Sequence, residues 1–313
     1  MVSGRVPIHR KTAEFPPCSL NSPPTAPSAE TPSASIRLGS CAWSFDDWRG
    51  PFYPEHLPSN QWLAFYSAHL PAVEVDSTFY ATPSLEVAAH WADITPPDFR
   101  FSCKLPRAIT HERKLRDCES AFREFLEAIE PLRPKLACIL IQLPPYFVPR
   151  SDEVALKEFI FGLPREIRFA VEFRHRDWHV PRVAHLLENE RVCWVWNDLT
   201  PFDHQEEGAF EFLPQTTDFA YVRLMGDFDT KYRDDGSRKH RYRQLVWPRD
   251  ASLDSWTVRI RQHTTEFSEV LVFVNNHFEG FAPETCLRLA QRLGIKLNMP
   301  AQAPPAQAQL DLL

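Results

Sequence analysis

Apolar, strand-like runs alternate with helix-like stretches eight times between Ile36 and Leu297, and this alternation is what most limits the fold. The strands read as Ile36 to Trp43, Ala72 to Thr78, Arg100 to Leu105, Ala137 to Leu143, Arg168 to His175, Arg191 to Asp198, Phe219 to Met225 and Glu269 to Asn275. Nearly continuous apolar strands separated by helices imply a parallel sheet covered on both faces. Eight such units over roughly 260 residues fit a TIM-type (β/α)8 barrel. An open doubly wound sheet is the competitor, but it would carry a Gly-rich turn after its first strand. The chain has only 9 glycines and no such turn, so the barrel is the better reading.

The helical stretches carry their own start and stop signals. Ser59 is placed to cap a helix that buries Trp62, Leu63, Phe65 and Tyr66. Ser84 opens the next, which stops at Pro96-Pro97. Phe122, Phe125, Leu126 and Ile129 recur at spacings of three and four, and the closing helix ends at Gly294. The unit after the sixth strand is the weakest, since Thr200 to Thr217 shows no helical period. The expected organisation is one barrel domain over residues 36–297 between two disordered tails. Residues 1–35 are rich in Pro, Ser, Thr and Ala, and residues 298–313 in Ala, Pro and Gln.

Within the fifth strand, the period of two puts Ala170, Glu172 and Arg174 on one face and Phe169, Val171 and Phe173 on the other. A carboxylate and a guanidinium on an inner face are costly to bury unless paired or used. Other strands end the same way: Glu74 and Asp76, Lys104, Gln142, Asn197 and Asp198, Arg223, then Asn275, Asn276 and His277. In a barrel these ends converge on the C-terminal rim, where binding and chemistry sit. Convergence of so many polar groups points to a pocket rather than scattered ion pairs.

Lys104, Arg174 and Arg223 suit a phosphate or carboxylate. The stretch from Lys231 to Arg243 interleaves bases with tyrosines beside the seventh strand, which also suits an anionic backbone. Glu74, Glu172 and Asp198 are the acid/base candidates, because neighbouring cations and burial can move their pKa values apart. The same carboxylates could ligate a divalent metal with His111, His175 or His277, but no H-x-H or H-E-x-x-H spacing supports that, so no cofactor is expected. Cys103 alternates with Lys104 and reads as a packing thiol. The aromatic loop from Trp43 to Pro54 serves equally as a lid or stacking surface, or as a hydrophobic plug over the barrel mouth.

Composition narrows the setting. A net charge of -6 argues against a protein that coats nucleic acid by bulk electrostatics. Seven cysteines without a close C-x-x-C pair favour free thiols in a reducing compartment. No apolar run is long enough to span a membrane and no signal-peptide core precedes the first strand, so a cytoplasmic protein with no membrane partner is expected.

Several motifs together resemble the YecE-like family, also called domain of unknown function 72. They are Trp43-Ser44-Phe45-Asp46-Asp47-Trp48-Arg49-Gly50, Val73-Glu74-Val75-Asp76-Ser77-Thr78-Phe79-Tyr80, Phe101-Ser102-Cys103-Lys104 and Ile109-Thr110-His111. Gln142-Leu143-Pro144-Pro145, Ala170-Val171-Glu172-Phe173-Arg174-His175, Tyr221-Val222-Arg223-Leu224 and Phe273-Val274-Asn275-Asn276 complete the set. The resemblance runs from about Ile36 to Leu297 and implies a TIM-type barrel without an established activity. Tyr80 and His111 lie in these motifs and join Lys104, Gln142, Arg174, Arg223, Asn275 and Asn276 as expected ligand contacts. One departure stands out: where the family pattern continues Arg-Leu-His-Gly, this chain has Arg223-Leu224-Met225-Gly226.

The chain closes with Gln309-Leu310-Asp311-Leu312-Leu313, similar to the peptide by which bacterial proteins bind the replication sliding clamp. Gln309, Leu310, Leu312 and Leu313 would be its contacts, on a flexible tether. Three functions are therefore expected to compete. The first is an uncharacterised barrel that binds, and transforms if it is an enzyme, an anionic ligand such as a phosphorylated small molecule, a nucleotide or a nucleic-acid end. The second is a non-catalytic module of DNA metabolism recruited to the clamp. The third is a metal-dependent hydrolase.

Overall fold

β-branched and aromatic side chains recur along the expected strands, and such residues pack well on a pleated surface buried on both sides. The computed structural model describes residues 34–198, 212–226 and 241–300. In it the strands are β1 (Ser35–Ser40), β2 (Ala72–Val75), β3 (Arg100–Lys104), β4 (Leu136–Gln142), β5 (Phe169–Glu172), β6 (Cys193–Asn197), β7 (Phe219–Leu224) and β8 (Glu269–Val274). They form a closed barrel in chain order, and every neighbouring pair is parallel, including the closing pair β1 and β8. This is the TIM-type barrel expected from the alternation.

The period of two divides the core into an inside and an outside. Ala170, Cys138, Cys193, Tyr221, Leu271 and Phe273 pack together in the barrel interior. Phe169, Val171 and Phe173 belong to the second layer, between strands and helices, as does Cys103. Burial pushes the Cys103 thiol up to about 12, so it is an inert packing group. At the N-terminal floor Glu269 accepts hydrogen bonds from Arg37 Nε at 2.7 Å and Arg168 Nη1 at 2.9 Å.

The helices are α1 (Trp62–Ser67), α2 (Ser77–Tyr80), α3 (Leu85–Asp93), α4 (Glu119–Ala128), α5 (Pro149–Phe161), α6 (Pro181–Asn189), α7 (Asp250–His263), α8 (Asn276–Glu279) and α9 (Ala282–Leu293). Ser84 caps α3 as expected, its side chain accepting from Val87 N at 3.3 Å. Gly294 ends α9 with a left-handed φ of 74°. Ser59 is a correction: it starts a 3-10 turn whose cap makes no side-chain hydrogen bond, and α1 begins only at Trp62. A second correction concerns β2, which stops at Val75. Thr78 Oγ1 donates to the carbonyls of Val75 and Lys104, both at 2.7 Å, and this folds the chain into the one-turn α2.

Several expectations fall outside the described residues. They are the tail over residues 1–33, residues 199–211, residues 227–240 of the basic stretch, and residues 301–313 with Gln309, Leu310, Leu312 and Leu313. Among the described residues no helix is long and apolar enough to cross a membrane.

Candidate functional site

Arg223 sits at the centre of the upper barrel and is fully buried. It lies on the inner face of β7 because Tyr221 and Arg223 alternate with the outward Val222 and Leu224. Its Nε and Nη2 donate to the two oxygens of Glu74 on β2, at 2.9 and 2.6 Å, a bidentate fork. Its Nη1 donates to Glu172 on β5. Tyr221 Oη donates to Glu74 at 2.6 Å and lies 2.7 Å from Ser102 Oγ. Glu172 also accepts from Arg174 Nε at 2.9 Å and from Asn197 Nδ2 at 3.4 Å. Burial alone would raise the Glu172 carboxyl, but Arg174, Arg223 and Lys104 overcome it and hold it at about 2. Both carboxylates are fully buried and their oxygens are occupied by guanidinium, phenol and amide donors.

Above this layer lies a more open one. Lys104 Nζ is 3.4 Å from Asp76 Oδ1 and 4.1 Å from the centre of the Phe79 ring. Asp76 Oδ1 is buried and has no hydrogen-bond partner among the described residues. His111, on a π-helical turn over Ala108–Glu112, meets the Phe79 ring edge to face at 4.9 Å, and its Nδ1 is 2.8 Å from Thr110 Oγ1. Burial lowers the His111 pKa first, and the charges of Lys104, Arg174 and Arg107 add to it, so the value falls to about 4. At neutral pH the mouth therefore presents Lys104 and Arg174 as cations beside an uncharged imidazole.

Not every expected contact joins this group. Gln142 pairs in register with Glu172, but its Nε2 donates to the Leu143 carbonyl at 2.8 Å. Asp198 accepts from the backbone N–H groups of Met225 and Gly226, at 2.5 and 2.7 Å, and so braces the corner after β7. Burial raises its carboxyl while those N–H groups pull the other way. Asn275 Oδ1 accepts from His277 N at 3.0 Å and caps α8. Asn276 Oδ1 accepts from Trp48 Nε1 at 3.2 Å and Ala282 N at 2.9 Å. These asparagine oxygens are committed to the fold. The aromatic loop is likewise packed, with Trp48 and Tyr53 fully buried and the Tyr53 ring stacked on Trp62 at 5.1 Å.

Met225 lies buried with its Sδ 3.9 Å from Cys41 Sγ, so the expected histidine position is an interior thioether here. Among the described residues no group of three or more His, Cys, Asp or Glu side chains is placed to hold a metal. Asp76, read from the sequence as a polar strand end but not as a ligand contact, borders the mouth together with Phe79 and Tyr146. Asp76 shares the inner face with Glu74 at spacing two, a readable signal, whereas Tyr146 lies on a loop that has no period.

This geometry can be set beside known proteins. The family described as protein of unknown function DUF72 matches residues 37–309. The chain belongs to the DUF72 family. It is 27% identical over 288 residues to the UPF0759 protein YunF of Bacillus subtilis (strain 168), covering 88% of this chain and 99% of that one. It is 41% identical over 113 residues to the UPF0759 protein YecE of Escherichia coli (strain K12), a match spanning 36% of this chain and 41% of YecE. A DUF72 family crystal structure from Thermotoga maritima MSB8 superposes with a TM-score of 0.67 and 29% identity over 83% of this chain and 99% of that one. A DUF72 protein from Enterococcus faecalis V583, at TM-score 0.66 and 22% identity over 86% of this chain and 100% of that one, shares the fold.

Proposed function

We propose that the C-terminal mouth of this DUF72 barrel binds a small anionic ligand, phosphorylated or nucleotide-like, in the cytoplasm. The observation that carries this reading is the meeting of Lys104, Arg174 and a half-buried His111 at one mouth, where the two cations and burial hold the imidazole neutral. Burial is the larger cause and disfavours any charge, but the Lys104 and Arg174 fields that add to it are ones in which an anion gains electrostatically. Below it, Glu74 and Glu172 are engaged with Arg223 and Arg174, which favours a role in fixing those guanidiniums over one in proton transfer. If the ligand is transformed, the neutral imidazole of His111 borders the mouth as a group that can accept a proton. Six buried free thiols among the described residues fit a reducing compartment.

Calorimetric titration with inorganic phosphate tests the reading, with sodium chloride added to match ionic strength. Phosphate should bind to the native chain, and K104M or R174M should weaken it by at least about tenfold, the scale of one charge-assisted contact. Phosphate affinity unchanged in both variants, or no binding beyond the salt control, sinks the proposal.

A further inference from the structure

We propose that the anionic ligand carries a planar aromatic ring, as a nucleoside monophosphate does, and that Tyr80 and Tyr146 hold that ring. This rests on the anion-binding reading above and adds the class of ligand.

Among the described residues large aromatic side chains are mostly inside, and Tyr53, Tyr66 and Tyr221 are fully buried. Tyr80 and Tyr146 are different, at 78% and 54% exposed. Both belong to one continuous series of ring contacts at the mouth. Tyr80 meets Phe79 edge to face at 5.1 Å, Phe79 meets His111 at 4.9 Å, and His111 meets Tyr146 at 6.3 Å. The Lys104 ammonium sits over the Phe79 ring in the middle of this series. Cation and exposed π-faces are thus one side chain apart, so one ligand can reach both. An anion alone would use the ammonium and guanidinium and would leave the exposed ring surface of Tyr80 and of Tyr146, over which the Lys114 ammonium sits at 5.3 Å, in water. A base-bearing anion would use both, because a base stacks on tyrosine and every base has a π-face.

The Tyr146 side of the ledge is held in advance. Lys114, Leu115 and Asp117 take left-handed φ values of 49°, 63° and 47° without a glycine among them. Non-glycine residues persist in that region only where their surroundings hold them, and such strain gathers at ligand clamps. Here buried Leu115 and the Arg116 ion pair with Asp152, at 2.9 Å, supply the hold. Lys114 Nζ donates to the Tyr146 carbonyl at 3.3 Å, and Tyr146 Oη donates to the His111 carbonyl at 3.4 Å. A ring fixed this way loses little freedom when a ligand stacks on it.

The test is calorimetric titration of the full chain with AMP, ribose 5-phosphate and adenosine, repeated with Y80A and Y146A. AMP should bind about tenfold more tightly than ribose 5-phosphate. Each alanine variant should remove several-fold of AMP affinity and leave ribose 5-phosphate unchanged, which a general loss of structure would not do. Equal affinity for AMP and ribose 5-phosphate overturns the ring inference while the anion site stands. An AMP preference untouched by both substitutions overturns the assignment to these tyrosines. If neither phosphate binds, the anion site and the ring inference fall together.

Discussion

Arg223 is paired with Glu74 and Glu172 where no water reaches any of the three. Removing the guanidinium leaves two buried carboxylates without their cation, and breaking a buried pair in this way costs about 3–5 kcal/mol. R223M should therefore lose about that much in urea denaturation at neutral pH; a loss below about 1 kcal/mol would show that the carboxylates find other partners. Titration behaviour follows from the same groups. The Glu172 pKa, at about 2, lies below its unfolded value, so its contribution is complete above the ordinary carboxylate range and fades as pH falls through about 2. His111 also holds its proton less tightly folded than unfolded. The unfolded chain thus takes up more protons between 6.5 and about 4, and stability drops as pH falls through that window. Histidine proton NMR should give His111 a midpoint near 4, and added phosphate should move it upward, because a bound anion favours the imidazolium. A midpoint near 6.5 in phosphate-free buffer would remove the electrostatic argument for the mouth.

The elements that deliver these side chains end at tight corners. After β7, Gly226 has a φ of 69°, and a Cβ there would lie 2.4 Å from the His277 carbonyl oxygen. G226A therefore meets both a disfavoured backbone region and a clash with α8, and it should cost about 3 kcal/mol or more. Asp198 braces the same corner through two backbone N–H groups. D198A strands both donors and should cost about 1–3 kcal/mol, while D198N keeps one acceptor oxygen and should cost less. Thermal melts of the three variants give the ordering directly; equal melting points for D198A and D198N would place the loss elsewhere. The aromatic loop is anchored in the same manner, through Trp48 to Asn276, and this makes it a plug rather than a lid.

At the scale of the whole molecule, closure is what turns strand ends into a site. The β1–β2 seam passes through Gly39, where a Cβ would fall 2.0 Å from the Ala72 carbonyl oxygen. G39A should therefore strain the barrel wall and cost at least about 1–3 kcal/mol in thermal or urea unfolding; wild-type stability would mean that the seam can open without loss. The sequence by itself determined the number and order of strands and which face of each looks inward, because periods of two and of about 3.6 are local properties of the chain. It placed Glu172 and Arg174 inside and Phe173 outside, and it placed family membership through motifs spread along the barrel. It also marked Lys104, Arg174 and His111 as ligand contacts, without showing that they meet. Only the tertiary structure decided that Arg223 takes Glu74, 149 positions away, and Glu172, 51 positions away, as partners. Only the structure committed Asp198, Asn275 and Asn276 to the backbone and set Tyr80 and Tyr146 around His111. Those choices depend on distances across a closed barrel and on loops without periodicity, and neither quantity is written in the order of residues.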